Sequence, residues 1–252
     1  MSLRYEISDK YLHLKDYLLD IKTNIKKNKD VIKDARNLVA IVKIKGKKYV
    51  VKSFGSPSFP NNYIYGRLRE SKARRSYEYS NILLEKGINV PEPVAHLEFY
   101  ESFALKESFY ISRYYDYDLD AREMFNNFDS DSALWNAFLD FTYNLSKEDV
   151  DHRDYTRGNI LIKKLKKDRF EFTLIDLNRI KFRNMNLSYC VEFLSKITHD
   201  PSQVDLIAKY YSKRSGLYQG QWVQALRGAV AKHENYKARN RYYRKLKQKY
   251  FR

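Results

Sequence analysis

The octet His152-Arg153-Asp154-Tyr155-Thr156-Arg157-Gly158-Asn159, followed by Ile160-Leu161-Ile162, holds the residues best suited to chemistry. An aspartate beside an alcohol orients it and takes its proton; an amide five positions later on the same tight loop reaches a metal ion. That pairing suits transfer of a phosphoryl group to a hydroxyl, whereas the plain alternative is a polar turn before a strand. A second carboxylate, Asp176, closes the apolar run Phe172-Thr173-Leu174-Ile175 and stands 22 positions after Asp154. By itself it reads as a turn former, and the conjunction with Asp154 gives it weight. Lys52 ends the strand-like Tyr49-Val50-Val51, where an ammonium can neutralise the α- and β-phosphates of ATP. With 48 Lys and Arg in the chain, a solvated strand lysine competes, so the discriminator is a carboxylate on the next helix. Glu78 is favoured for that role over Glu70 and Glu85 because it is the acid in mid-helix. Arg157 is either a phosphate-contacting cation or an exposed loop arginine.

These residues need elements to hold them. Residues 8–22 read as a helix capped by Ser8, with Leu12, Leu14, Leu18, Leu19 and Ile21 on one side. Leu38–Ile44 and Tyr49–Phe54 read as strands joined by the hairpin turn Lys45-Gly46-Lys47-Lys48, preceded by a shorter strand at 31–33 and a turn at 34–37. A loop over 55–66 leads to a helix over about 67–86 that ends at Gly87. Strands near 94–100 and 108–114 complete a small sheet. Beyond it come a helix at 132–146, short strands at 160–163 and 171–176, and helices from about 186 onward. The expected division is 1–114, a sheet with one inserted helix, and 115–252, mostly helical.

The order Lys52, Glu78, Gly87-Ile88-Asn89-Val90-Pro91-Glu92-Pro93, His152-Arg153-Asp154, Asn159 and Asp176 resembles a protein-kinase-like fold. With Ile175-Asp176-Leu177-Asn178-Arg179, it is similar to the lipopolysaccharide core kinases of the Kdo/WaaP type over roughly residues 30–200. The resemblance implies an α+β, bilobal fold with a small antiparallel-sheet N-lobe and a mostly helical C-lobe. It implies ATP-dependent phosphorylation of a Kdo or heptose hydroxyl in the inner core, at the cytoplasmic face of the inner membrane of a Gram-negative bacterium. Asp154 is then the catalytic base with Arg157 beside it. Asn159 and Asp176 hold Mg²⁺, Lys52 holds ATP phosphates, and Glu78 positions Lys52. The chain departs from protein kinases in three ways. No G-x-G-x-x-G precedes Lys52, and the corresponding turn is Asp34-Ala35-Arg36-Asn37, where Arg36 can compensate. Asn178 stands where D-F-G has glycine. No A-P-E follows Asp176, and about ten residues before the next helix leave no room for a peptide-binding segment.

Composition sets the outer bounds. The 252 residues carry a formal charge of +17, which predicts attraction to phosphate on nucleic acid, nucleotide or anionic lipid. One cysteine, Cys190, excludes an intramolecular disulfide framework and a cysteine zinc site, and reads as inert packing. The N-terminus lacks a secretory apolar stretch, and Leu38–Val42 is far too short to cross a bilayer. From Lys232 to Arg252, nine Lys/Arg face one acid, with Tyr236, Tyr243, Leu246 and Tyr250 at helical spacing. Such a helix suits an anionic leaflet, with packing on the C-lobe and RNA binding as the alternatives. The acidic stretch from Asp116 to Asp131 reads as a solvated helix start ahead of a metal site. Other readings of the whole chain are a kinase for another small alcohol, aminoglycoside- or choline-like, and a non-catalytic pseudokinase.

Overall fold

The computed structural model describes residues 2–27, 30–34, 37–57, 64 and 69–250. They form two compact units, one of Met1–Asp116 with Thr173–Asn178 and one of Tyr117–Phe172 with Arg179–Arg252. The first unit is thus completed by six residues from far along the chain, and these include Asp176.

Six strands make the sheet of the first unit: β1 (Ser2–Ile7), β2 (Asp30–Asp34), β3 (Asn37–Ile44), β4 (Lys47–Phe54), β5 (Pro93–Glu101) and β6 (Ala104–Arg113). Their order is β1-β5-β6-β4-β3-β2, with antiparallel neighbours throughout. The β3–β4 hairpin turns at Lys45 and Gly46, whose φ values of 48° and 78° match the twist of a tight two-residue loop. Strand alternation sorts the side chains of β4. Tyr49 and Val51 join the core with Val42, Leu97 and Ile111 on one face. Phe54 packs with Ala73, Tyr77 and Tyr110 on the other. Lys52 has the parity of Phe54. Ala73 and Tyr77 belong to α3 (Lys72–Glu85), which Ser71 caps by accepting from Arg74 N at 3.0 Å.

The helix expected over 8–22 is instead a 3₁₀ segment at Asp9–Leu14 followed by α1 (Lys15–Leu19) and α2 (Ile21–Lys27), and Ser8 makes no side-chain cap. Tyr11, Leu14, Leu18, Ile21 and Ile25 are buried at spacings of three and four, so one apolar stripe runs through both breaks. Leu12, expected on that stripe, is 52% exposed. Strand β1 is an edge strand that the expected elements did not include. Ala35 and Arg36 of the turn at 34–37, and most of the loop at 55–66, lie outside the described residues.

The second unit holds β7 (Leu119–Asp120), α4 (Ala121–Asn126), α5 (Ala133–Lys147), β8 (Val150–His152), β9 (Ile160–Lys164), β11 (Ile180–Phe182), α6 (Leu187–Leu194), α7 (Pro201–Ser215) and α8 (Gln219–Tyr250). Strand β10 (Phe170–Leu174) runs out of it into the first unit and lies in a sheet of order β10-β9-β7. Strand β8 pairs antiparallel with β11, setting His152 opposite Ile180. An aromatic cluster fills the core beside α5, where Trp135 stacks on Phe138 at 5.5 Å and Phe172 on Phe141 at 5.0 Å. Asp118 accepts from Lys164 N at 2.7 Å, and Asp120 caps α4. Among the described residues no group of three or more His, Cys, Asp or Glu could hold a metal ion.

Candidate active site

The octet forms a tight loop between β8 and β9. Its backbone turns at Asp154, whose carbonyl accepts from Thr156 N at 2.8 Å, and Asn159 N closes on Thr156 O at 2.9 Å. Nδ2 of Asn159 donates to that same Asp154 carbonyl at 2.8 Å, which leaves Oδ1 as its ligand-capable atom. Asp154 and Asn159 are therefore tied together by the loop itself. Tyr155 anchors the turn from below: it is fully buried, stacks on Phe193 at 4.1 Å and shares a 2.8 Å hydrogen bond with Thr142. Burial raises its phenol pKa well above the usual value.

Arg157 is bound to the protein. Its Nε donates to the Ile197 carbonyl at 2.6 Å, its Nη2 donates to Thr198 at 3.0 Å, and its guanidinium lies 4.3 Å from the Phe125 ring centre. These contacts pin the loop to the chain after α6 and differ from both expectations, a phosphate-contacting cation and an exposed loop arginine.

Beneath the loop lies a charge cluster that no local pattern announced. Asp151 is 1% exposed and pairs with Arg183 and, at 3.3 Å, with Arg153. Arg153 also reaches Glu192 at 2.7 Å. The Lys196 ammonium lies in the field of Asp151, Glu192 and Asp154, yet its nitrogen is buried without a hydrogen-bond partner. Burial lowers its pKa from the ordinary lysine value. A Cβ at Gly158 would meet the Arg122 guanidinium at 2.7 Å, the end of an exposed side chain that can move aside.

In the first unit, Lys52 lies opposite Val39 of β3 and Tyr110 of β6. Its ammonium forms an ion pair with the Asp176 carboxylate across 124 positions of sequence. Asp176 has φ of 61°, in the left-handed region. For a residue other than glycine that conformation costs about 1–3 kcal/mol and persists where the surroundings enforce it, as at functional sites. Asn178 donates to the same carboxylate.

Glu78 pairs with Arg74 at 2.7 Å, and Arg74 also approaches Glu70 at 3.7 Å. The Lys52 partner is thus Asp176, where Glu78 was expected. The reason is helical phase: α3 presents Ala73 and Tyr77 to Phe54, and Glu78 sits one residue round, over Arg74 one turn back. Burial, reinforced by the Glu78 charge, raises the Glu70 pKa. Cys190 is buried, donates to the Met185 carbonyl at 3.2 Å and has its thiol pKa pushed up to about 11, which fits inert packing.

No curated protein matches the chain in sequence. Among solved structures, one of WaaP in complex with acyl carrier protein is similar with a TM-score of 0.64 and 16% identity, covering 94% of this chain and 98% of that one. That likeness establishes the fold, mixed helix and antiparallel sheet of the WaaP kind. The model of the lipopolysaccharide kinase (Kdo/WaaP) family matches residues 32–189, a stretch that encloses Lys52, Glu78, Asp154, Arg157, Asn159 and Asp176. The chain belongs to that family and is an ATP-dependent phosphotransferase acting on sugar hydroxyls.

Proposed function

We propose that this lipopolysaccharide kinase transfers the γ-phosphoryl group of ATP to a Kdo or heptose hydroxyl of the inner core, with Asp154 as catalytic base. The acceptor oxygen forms a bond to phosphorus, the bond from phosphorus to the ADP oxygen breaks, and the hydroxyl proton passes to the Asp154 carboxylate. Lys52 neutralises ATP phosphates. Glu78 acts on α3 through Arg74, and Arg157 acts by holding the loop. Asn159, through Oδ1, and Asp176, through its carboxylate, would hold Mg²⁺, since each offers a hard oxygen donor of the kind that ion takes. Bound there, Mg²⁺ supplies charge neutralisation on the phosphates.

The observation that carries the reading is the Lys52–Asp176 ion pair: a strand lysine and the aspartate of a strained turn meet across 124 positions. Incubation with ATP, Mg²⁺ and lipopolysaccharide of defined inner core, read by mass spectrometry, is expected to add one phosphate to Kdo or to heptose. Phosphate appearing on soluble alcohols with none on either sugar contradicts the reading.

We also infer that α8 brings the enzyme to an anionic membrane surface. Tyr236, Tyr242 and Tyr243 are 54%, 62% and 60% exposed amid Arg239, Arg241, Arg244 and Lys245, which supports an open face over packing on the same unit. No described helix is long and apolar enough to cross a membrane. The acyl carrier protein bound to the similar WaaP gives a second candidate occupant, and vesicle flotation with and without that protein separates the two.

A further inference from the structure

The turn after Asp176 carries a residue to which the proposed chemistry gives no task. Asn178 is 7% exposed, and its Nδ2 donates to Oδ1 of Asp176 at 2.6 Å. The Lys52 ammonium is bound to that same oxygen. The two donors differ in kind. A lysine on a long stem swings away when ATP phosphates offer a better partner, whereas an amide two residues along a one-turn 3₁₀ segment (Leu177–Arg179) is tethered to the carboxylate it holds. Leu177, 2% exposed, fixes the backbone of that segment between the two. The left-handed φ of Asp176 sets the backbone from which its side chain leaves, and the hydrogen bond from Asn178 restrains rotation about the side-chain bonds. The amide is neutral, so it restrains the carboxylate without cancelling its charge toward a cation. A glycine at this position, as in D-F-G, offers no such donor.

We propose that Asn178 is the positioning residue of the metal site: it holds the Asp176 carboxylate in the orientation that receives the Mg²⁺ of Mg·ATP. The inference rests on the kinase reading above and adds a task for a residue that reading leaves out. Partners that orient a ligating carboxylate typically account for 10–100-fold in metal affinity. The prediction is therefore specific to metal, with nucleotide affinity in the absence of metal preserved.

The test uses the full chain, a non-hydrolysable ATP analogue and calorimetry across a series of Mg²⁺ concentrations and in EDTA. Asn178→Ala removes the donor, and Asn178→Leu removes it while keeping the volume; circular dichroism and Tm establish that each is folded. The expected result is that both need at least about tenfold more Mg²⁺ for half-maximal enhancement of analogue binding, with unchanged affinity in EDTA. An unchanged Mg²⁺ dependence overturns the proposal. So does equal weakening with and without metal, or failure of both variants to fold, since either assigns Asn178 to stability alone. If the wild-type protein binds the analogue with no Mg²⁺ enhancement, the Mg·ATP reading of the site falls first and the inference with it.

Discussion

Among the side chains in the loop from 152 to 159, Arg157 holds the loop in place. Its two hydrogen bonds and its contact with Phe125 link the loop to Ile197 and Thr198. Arg157→Ala is expected to cost about 2–3 kcal/mol of unfolding free energy, since two bonds from a charged donor, each worth about 1.5–3 kcal/mol, are offset in part by the burial of its charge. Urea denaturation at neutral pH checks this, with nucleotide affinity of the folded variant near that of the wild type. His96 makes a different prediction. It is 4% exposed, and burial lowers its pKa from 6.5 against the raising fields of Glu98, Glu6 and Glu78 and the lowering field of Arg74. The folded state thus favours neutral imidazole. Its contribution to stability is whole above pH 6.5 and is lost as the pH falls below that value, where the unfolded chain takes the proton. His233 shifts in the same direction. Tm measured from pH 8 to pH 5 should fall toward acid, and His96→Asn should flatten part of that fall.

Elements show why some of this was legible in sequence. The β3–β4 hairpin and α3 come from local rules: alternation, a turn with Lys45 and Gly46, and the glycine stop at 87. The turn of the octet was legible because the bonds that close it, from Thr156 N and Asn159 Nδ2 to Asp154 O and from Asn159 N to Thr156 O, depend on spacing within the octet. The outside partners of Arg153, Tyr155 and Arg157 carry no such signal. Partners set by helical phase were not legible. Glu78 had the right position along α3 but faces Arg74, because a one-residue rotation of about 100° separates it from Tyr77 and the sheet. The cluster of Asp151, Arg153, Arg183, Glu192 and Lys196 was equally hidden, since its members lie on β8, on α6 and in the loops after β8, β11 and α6, with no shared period. Segments without a seam in their periodicity misled in the other direction: Tyr11 to Ile25 keeps one apolar stripe although the helix breaks at Leu14 and Asp20. Tyr155→Phe tests how the loop is seated. It strips Thr142 of its buried partner and is expected to cost about 1–2 kcal/mol by chemical denaturation, with the Phe193 stack retained.

At the scale of the whole chain, two basic features act at different ranges. The +17 charge draws the protein toward anionic surfaces, an effect that salt screens within about 10 Å at 0.1 M. The exposed tyrosines of α8 add apolar contact that salt does not weaken. Removal of residues 232–252 is accordingly expected to abolish flotation with vesicles containing anionic lipid while leaving phosphorylation of a soluble inner-core fragment intact; unchanged flotation contradicts the role given to α8. The family match encloses Lys52, Asp154, Asn159 and Asp176, but what those four do together is a claim about chemistry. The most direct measurement is the rate of phosphate transfer from labelled ATP to inner-core lipopolysaccharide by the wild type and Asp154→Asn, with Mg·ATP binding measured on both. Loss of the base is expected to cut the rate by about 10²–10⁴-fold with nucleotide affinity retained. Transfer by Asp154→Asn at the wild-type rate would contradict the account.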